Sequence, residues 1–212
     1  MADLLDTLLP AIPETFFRRL EERMNDGAAI AHRQALRTPP HLPAHRMRLG
    51  TTRYFERGEA LRLSAEDVGL SHRFVMVNTH AEILVTGGPV LIAHAKADHW
   101  GDPIEDKEYK LELARHNPGD GEQLILWDEP VPESGILALV VVQYAHPGTE
   151  QDETVPARIG FGVPTRDLKG WHLLKPLEQI YAAYADRTGR LLDQARPVLK
   201  PNRDRRGTTG QG

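Results

Sequence analysis

A chain of 212 residues, 40% hydrophobic and 26% charged, has the balance of a globular domain, which excludes wholesale disorder. The length supports one large core, or a medium core with appendages. A net charge of −4 selects no class of partner, and the lack of any cysteine excludes a disulfide framework, a thiolate zinc site and a cysteine nucleophile, so a metal would have to be held by His, Asp or Glu.

The N-terminal stretch MADLLDTLLPAIPETFF carries no basic leader and is broken by acids and prolines, and no apolar run in the chain reaches membrane-spanning length. A cytoplasmic protein is expected. Leu4, Leu5, Leu8, Leu9 and Ile12 form one stripe at helical spacing, and Pro13 suits the start of a fresh helix. Phe16, Phe17, Leu20 and Met24 continue the pattern to a stop at Asn25-Asp26-Gly27, and AAIAHRQALR reads as a third helical stretch. Residues 1–37 are therefore a helical segment whose apolar stripe docks on the chain's own core or, in the alternative, on a partner through Phe16 and Phe17. Glu14, Glu21 and Glu22 argue against an anionic membrane surface. The prolines of TPPHLPAH mark residues 38–45 as an extended linker.

From Arg46 onward the pattern turns to short runs rich in β-branched and aromatic residues, punctuated by Gly, Pro, Asn and Asp. The expected strands are MRLGTTRYF, ALRLS, RFVMVNT, EILVTG, PVLIAHA, EYKLELAR, QLILWDE, ILALVVVQYA and ARIGFGVP. EYKLEL alternates strictly, with Tyr109, Leu111 and Leu113 on one side. ILALVVVQY is apolar almost throughout and reads as a central strand covered on both faces, burying Leu137, Leu139, Val140, Val141 and Val142. After GWHLLKP, Pro176 opens a last helix on which Leu177, Ile180, Tyr181 and Tyr184 share a face. The tail PNRDRRGTTGQG has no large apolar residue and is expected to be disordered.

The fold class that follows is mainly β with helical additions, of the α+β kind. It is an antiparallel β-sandwich over residues 46–175, flanked by the N-terminal helices and by one C-terminal helix over 176–196, with a tail from 197 to 212. Charge is segregated along it. Residues 31–63 hold seven arginines against two glutamates, and residues 98–135 hold eleven acids against three bases. The two regions neutralise each other or form solvated faces, or they steer a charged partner.

The stretch from Glu122 to Leu174 resembles the latter half of a C2-type β-sandwich. The resemblance rests on a strand with Trp127, the turn PESG, the apolar strand ILALVVVQY, the acidic loop AHPGTEQDET, Ile159-Gly160, the turn at Asp167-Leu168 and the closing strand GWHLL. It covers about fifty residues. What it implies is a scaffold that docks onto a membrane surface or a protein. Calcium-binding members of that family bring closely spaced aspartates from two loops. This chain has Asp98 and Asp102 for the first loop, but Tyr144 and His146 where the second pair would stand, with only Asp152 nearby, which argues against calcium.

HAKADH, residues 94–99, also resembles the His-x-His-x-Asp-His metal stretch of hydrolases with the metallo-β-lactamase fold, again at the end of an apolar strand. The resemblance implies a divalent transition metal on His94, Asp98 and His99, with His146 and Asp167 as nominal further ligands. Lys96 stands at the second histidine position, and an ammonium has no lone pair to give. On a strand His94, Lys96 and Asp98 point the same way, and on a helix His94 and Asp98 share a face, so two ligands are the most either arrangement supplies, where a catalytic zinc needs three.

No nucleotide-binding glycine loop and no nucleophile elbow occurs. Serines stand only at 64, 71 and 134, and Ser71-His72, as strand neighbours, would point apart. Arg46, Arg48 and Arg53 beside Tyr54 and Phe55 are the residues with which a chain contacts phosphate and stacks a base, or the exposed side of a half-buried strand. The leading expectation is thus a non-catalytic interaction module, without a cofactor, that docks a protein partner or a second copy. The alternatives are a metal-dependent hydrolase at His94, Asp98 and His99, and nucleic-acid binding through residues 46–57.

Overall fold

Buried positions at 16, 17, 20, 24, 27, 28, 31 and 35 repeat every three or four residues, and α2 (Glu14–Ala35) follows that stripe as one uninterrupted helix. The expected stop at Asn25-Asp26-Gly27 is not there. Gly27 serves instead as a point of close approach, since a β-carbon on it would stand 2.8 Å from the β-carbon of Glu56 on the next helix. The computed structural model describes residues 4–77, 80–104, 108–118, 135–145 and 154–195.

Ahead of α2, α1 (Leu4–Leu8) and a 3-10 turn (Leu9–Ala11) bury Leu4, Leu5, Leu8, Leu9 and Ile12. Beyond it, α3 (Pro43–Asp67) occupies the sequence in which the first two strands were expected. Its buried residues are His45, Arg57, Gly58, Ala60, Leu61, Ser64 and Ala65. These have helical spacing, but most are small or polar, so the stripe is faint on a hydrophobicity scale while Thr, Tyr and Phe nearby suggest a strand. Pro43 at the first turn starts the helix, and it shortens the expected linker.

The strands β1 (Ser71–Val77), β2 (His80–Gly87), β3 (Val90–Ala97), β4 (Ile136–Tyr144), β5 (Pro156–Pro164) and β6 (Trp171–Pro176) lie side by side in chain order in one sheet. Every neighbouring pair is antiparallel except β3 and β4, which run parallel from Val90↔Ile136 to Ala97↔Gln143. Parallel neighbours need a crossover, and α4 (Glu108–Ala114) lies in it. The alternating EYKLELAR is therefore helical, with Lys110 and Ala114 buried at i and i+4. The fold is mixed α/β: among the described residues there is one open sheet with helices on both faces, where two packed sheets were expected. QLILWDE, the acidic loop after Tyr144 and the C-terminal tail lie outside the described residues.

Alternation along β4 divides the core. Ile136, Ala138, Val140, Val142 and Tyr144 face the layer made by α1, α2, α3 and α5 (Leu177–Ala195), and Leu137, Leu139 and Val141 face the layer of α4, Ile104 and Leu168. Leu137 and Leu139 to Val142 are all fully buried, as the central-strand reading expects. Phe17 meets Phe161 of β5 edge-on at 5.1 Å, and Tyr181 of α5 donates to Glu21 at 2.6 Å, so the N-terminal helices are covered by the chain's own sheet and last helix. No helix among the described residues is long and apolar enough to cross a membrane.

Candidate functional site

The β2–β3 ladder contains only Val85↔Ile92, Thr86↔Leu91 and Gly87↔Val90, whereas β1 pairs with β2 along its whole length. Past Val85 and Ile92 the two strands no longer pair, while β1 and β2 stay paired as far as Val77↔His80. Polar side chains fill the opening. Glu82 comes from β2, His94 and Lys96 from β3, Tyr54 and Arg57 from α3, and Tyr109 and Lys110 from α4.

Glu82 and His94 are each 2% exposed, and His94 Nε2 lies 3.4 Å from Glu82 Oε2. Arg57 donates from Nε to His94 Nδ1 at 3.5 Å, so the imidazole links a carboxylate on one side to a guanidinium on the other. With Nδ1 accepting, the proton of the neutral ring is assigned to Nε2, facing Glu82. Lys110 donates from Nζ to the carbonyl of His94 at 2.8 Å and is 4% exposed. Burial, and then its hydrogen bond to Glu82, push the Tyr54 hydroxyl well above its ordinary range. Burial, and then the charge of Glu82, do the same to Tyr109.

Above this group lies a cavity of about 550 Å³, bounded by Gly50, Tyr54 and Arg57 of α3, by residues 94–98, by Asp102, Pro103 and Ile104, and by Lys110. A β-carbon on Gly50 would meet nothing within 4 Å, so this position of α3 faces open space. Lys96 and Asp98 form an exposed ion pair of 2.6 Å at the rim. Asp102 accepts the backbone N–H of His99 at 2.9 Å. On α3, Arg46, Gly50, Arg53 and Arg57 succeed one another at three or four residues and form one row leading to the cavity. The Arg53 guanidinium lies 4.0 Å from the ring centre of Tyr144.

His94, Asp98 and His99 are thus not gathered. His94 is buried beneath the cavity, Asp98 is held by Lys96, and His99 is exposed on the following turn. Among the described residues no group of three or more His, Asp or Glu is placed to hold a metal ion. Phe16 and Phe17 have no exposed surface, so neither offers a contact to a partner. Arg46 and Arg48 are exposed, Arg53 is half-buried, and all three lie on a helix instead of the expected strand. Ser71 and His72 begin β1, away from this opening, and His72 Nε2 lies 3.6 Å from Glu66.

No family model, no curated protein and no solved structure matches the chain. Glu82 and Lys110 are not picked out as site residues by the sequence, Tyr54 and Arg57 fall in it only within the arginine-rich segment 46–57, and Tyr109 only on the face of an expected strand. One signal was present: Glu82 is a lone carboxylate heading the apolar run ILV in β2.

Proposed function

We propose that the chain binds a phosphate-bearing ligand of nucleic-acid type at the opening between β2 and β3. One observation carries this reading: three cations, Arg57, Lys96 and Lys110, line a single cavity, and two of them, Arg57 and Lys110, are almost fully buried. An anion entering the cavity would meet these cations in surroundings of low polarity, where opposite charges attract more strongly than in water. The rim pair Lys96–Asp98 is exposed and worth little, so Lys96 can exchange Asp98 for a phosphate oxygen. The row Arg46, Arg53 and Arg57 supplies cations at successive turns of one helix, which suits a polymer with repeating charge.

The test is fluorescence anisotropy with a labelled single-stranded oligonucleotide of mixed sequence across a salt series. Binding should weaken steeply with salt, and Arg46→Ala with Lys96→Ala should weaken it about tenfold or more and flatten the salt slope. Salt-independent or absent binding would sink the proposal.

Exposed apolar side chains favour a second reading, the docking of a protein partner. Phe74 and Met76 of the edge strand β1 are 60% and 70% exposed on one side of the arm. An edge strand with exposed apolar residues is suited to β-strand addition. Light scattering and pull-down with wild type and Phe74→Asp test it: a captured partner or an oligomer lost in the variant supports docking, and an unchanged monomer removes it.

A further inference from the structure

We infer that two copies of this chain associate through β1, their β1 strands pairing antiparallel across a two-fold axis so that the sheet continues from one copy into the other. This rests on the docking reading of Phe74 and Met76 above and names the partner. β1 is the edge of the sheet, and among the described residues no backbone group pairs with its outer side. Ser71–Val77 thus presents the N–H and C=O groups of alternate residues as a template for a further strand.

What such pairing brings together follows from the register. His72 is paired with Val85 and Phe74 with Ile83, both in the core under the helices, so His72, Phe74 and Met76 lie on the helical side of the sheet and Arg73 and Val75 on the other. A two-fold axis normal to the sheet keeps each side on its own side. With its centre at Phe74 or Val75, it sets Phe74 opposite Phe74 or Met76 of the second copy, and Arg73 does not stand opposite Arg73.

The neighbouring helix favours a second copy over a strand of another protein. A β-carbon on Gly58 would meet Ile83 at 3.6 Å, so α3 lies over β2. Phe55, 52% exposed, stands one turn before Glu59 on the row that continues through Arg62 and Glu66, and Glu66 lies 3.6 Å from His72 of β1. Across the axis the two β2 strands are three strand spacings apart, about 14 Å. Helices about 10 Å across above them leave a slot of roughly 4 Å over the paired edges. Phe55, Phe74 and Met76 of both copies fill that slot, whereas a lone foreign strand brings no second wall to cover them. Arg62 is paired with Glu59 and Glu66, so the walls carry alternating charge and no block of one sign. The six side chains expose on the order of 700 Å², short of the roughly 1,200 Å² of the smallest stable interfaces, so the dimer is weak and reversible.

The chain has no cysteine, and single cysteines therefore report the contact directly. The full chain and its Phe74→Asp variant are compared by sedimentation velocity from about 1 to 300 µM, the range of a weak dimer. Phe74→Cys, Val75→Cys and the exposed control Val155→Cys are oxidised mildly. The inference expects a concentration-dependent dimer whose Kd rises at least tenfold in Phe74→Asp. It also expects a disulfide-linked dimer from whichever of positions 74 and 75 lies on the axis, formed at least tenfold faster than in the control. Phe74 is 60% exposed, and an unchanged melting curve confirms that its variants fold. A monomer over the whole range overturns the inference and leaves the docking reading to capture of a different protein. A dimer lost in Phe74→Asp but cross-linked at neither position overturns the strand pairing and keeps the docking reading. A dimer unchanged by Phe74→Asp and without a preferred cross-link overturns both.

Discussion

The imidazole of His94 spans the gap between two strands that have ceased to pair, its Nε2 3.4 Å from Glu82 Oε2 and its Nδ1 3.5 Å from Arg57 Nε. The imidazole lies between the carboxylate and the guanidinium in a place where the two strands no longer pair. Removing the carboxylate takes from the buried Tyr54 hydroxyl its hydrogen-bond acceptor and from His94 its polar neighbour. Glu82→Ala should therefore cost about 1–3 kcal/mol in urea unfolding, the penalty for leaving a buried polar group without its partner. An unchanged unfolding midpoint would show that the hydroxyl and the ring find other partners.

Asn117 performs a different task at the opposite end of the sheet. Its side chain accepts from Leu137 N at 2.8 Å and donates to the carbonyls of Leu137 at 3.1 Å and Pro164 at 2.8 Å, tying the start of β4 to the end of β5. The residue is fully buried, so Asn117→Ala leaves these backbone groups without partners at about 1–3 kcal/mol each. Asn117→Asp should be as damaging, because a carboxylate cannot donate to the two carbonyls. Thermal melts of both variants check this.

Two glycines call for opposite outcomes. On Gly160 a β-carbon would stand 2.2 Å from a ring carbon of Trp100 and 2.5 Å from the carbonyl oxygen of Lys175, so Gly160→Ala must move backbone of β6 and should lower stability by several kcal/mol, on the order of an overpacked core site. On Gly189, within α5, nothing lies within 4 Å, and Gly189→Ala should raise stability by roughly 0.5–1 kcal/mol through helix propensity. Melting temperatures that move the same way in both would refute the assignment.

Alkaline pH should unfold the chain earlier than its net charge suggests. Tyr54, Tyr109, Tyr181 and Tyr184 all have hydroxyl pKa values raised from 10.0, in each case first by burial. A raised value means that the folded state holds the proton more tightly than the unfolded one. The contribution is complete below the ordinary tyrosine value and is lost as pH rises from there toward the folded values. Stability should fall steadily above about pH 10, and the tyrosinate absorbance of these four residues should develop together with loss of ellipticity. Tyrosinate formation well before unfolding would show that the rings are accessible.

The N-terminal helices are core. Leu8, Ile12, Phe16, Phe17 and Leu20 have no exposed surface and pack with Val140, Phe161 and Ile180. A chain starting at Leu42 strips that face and should be insoluble or lack a cooperative melt. A soluble fragment with the full-length melting temperature would place these helices outside the folding unit.

Much of this architecture is legible in the sequence because large apolar residues repeat with a clear period. The stripe from Leu4 to Met24 specifies helices, and ILALVVVQY specifies a strand covered on both sides, since only a two-faced burial tolerates such a run. Where the buried face consists of small or polar residues, as along α3, or where a short segment alternates by chance, as in EYKLEL, the period misleads. The local pattern of EYKLEL suits a strand, but the parallel pairing of β3 with β4 demands a crossover on that side of the sheet.

The site depended on tertiary structure almost entirely. His94 was visible, but its partners Glu82, Arg57, Tyr54 and Lys110 are 12, 37, 40 and 16 positions away and come from three other elements. Residue order alone makes plain that a histidine and a lysine lie near the end of the strand VLIAHAKA, and that arginines crowd a segment ahead of it. Only the parting of β2 from β3 decided that Glu82 and not Asp98 faces that histidine. Pairing ends once the chain must form the β1–β2 arm, and a carboxylate there is sheltered enough to need the groups that α3 and α4 bring from opposite sides of the sheet.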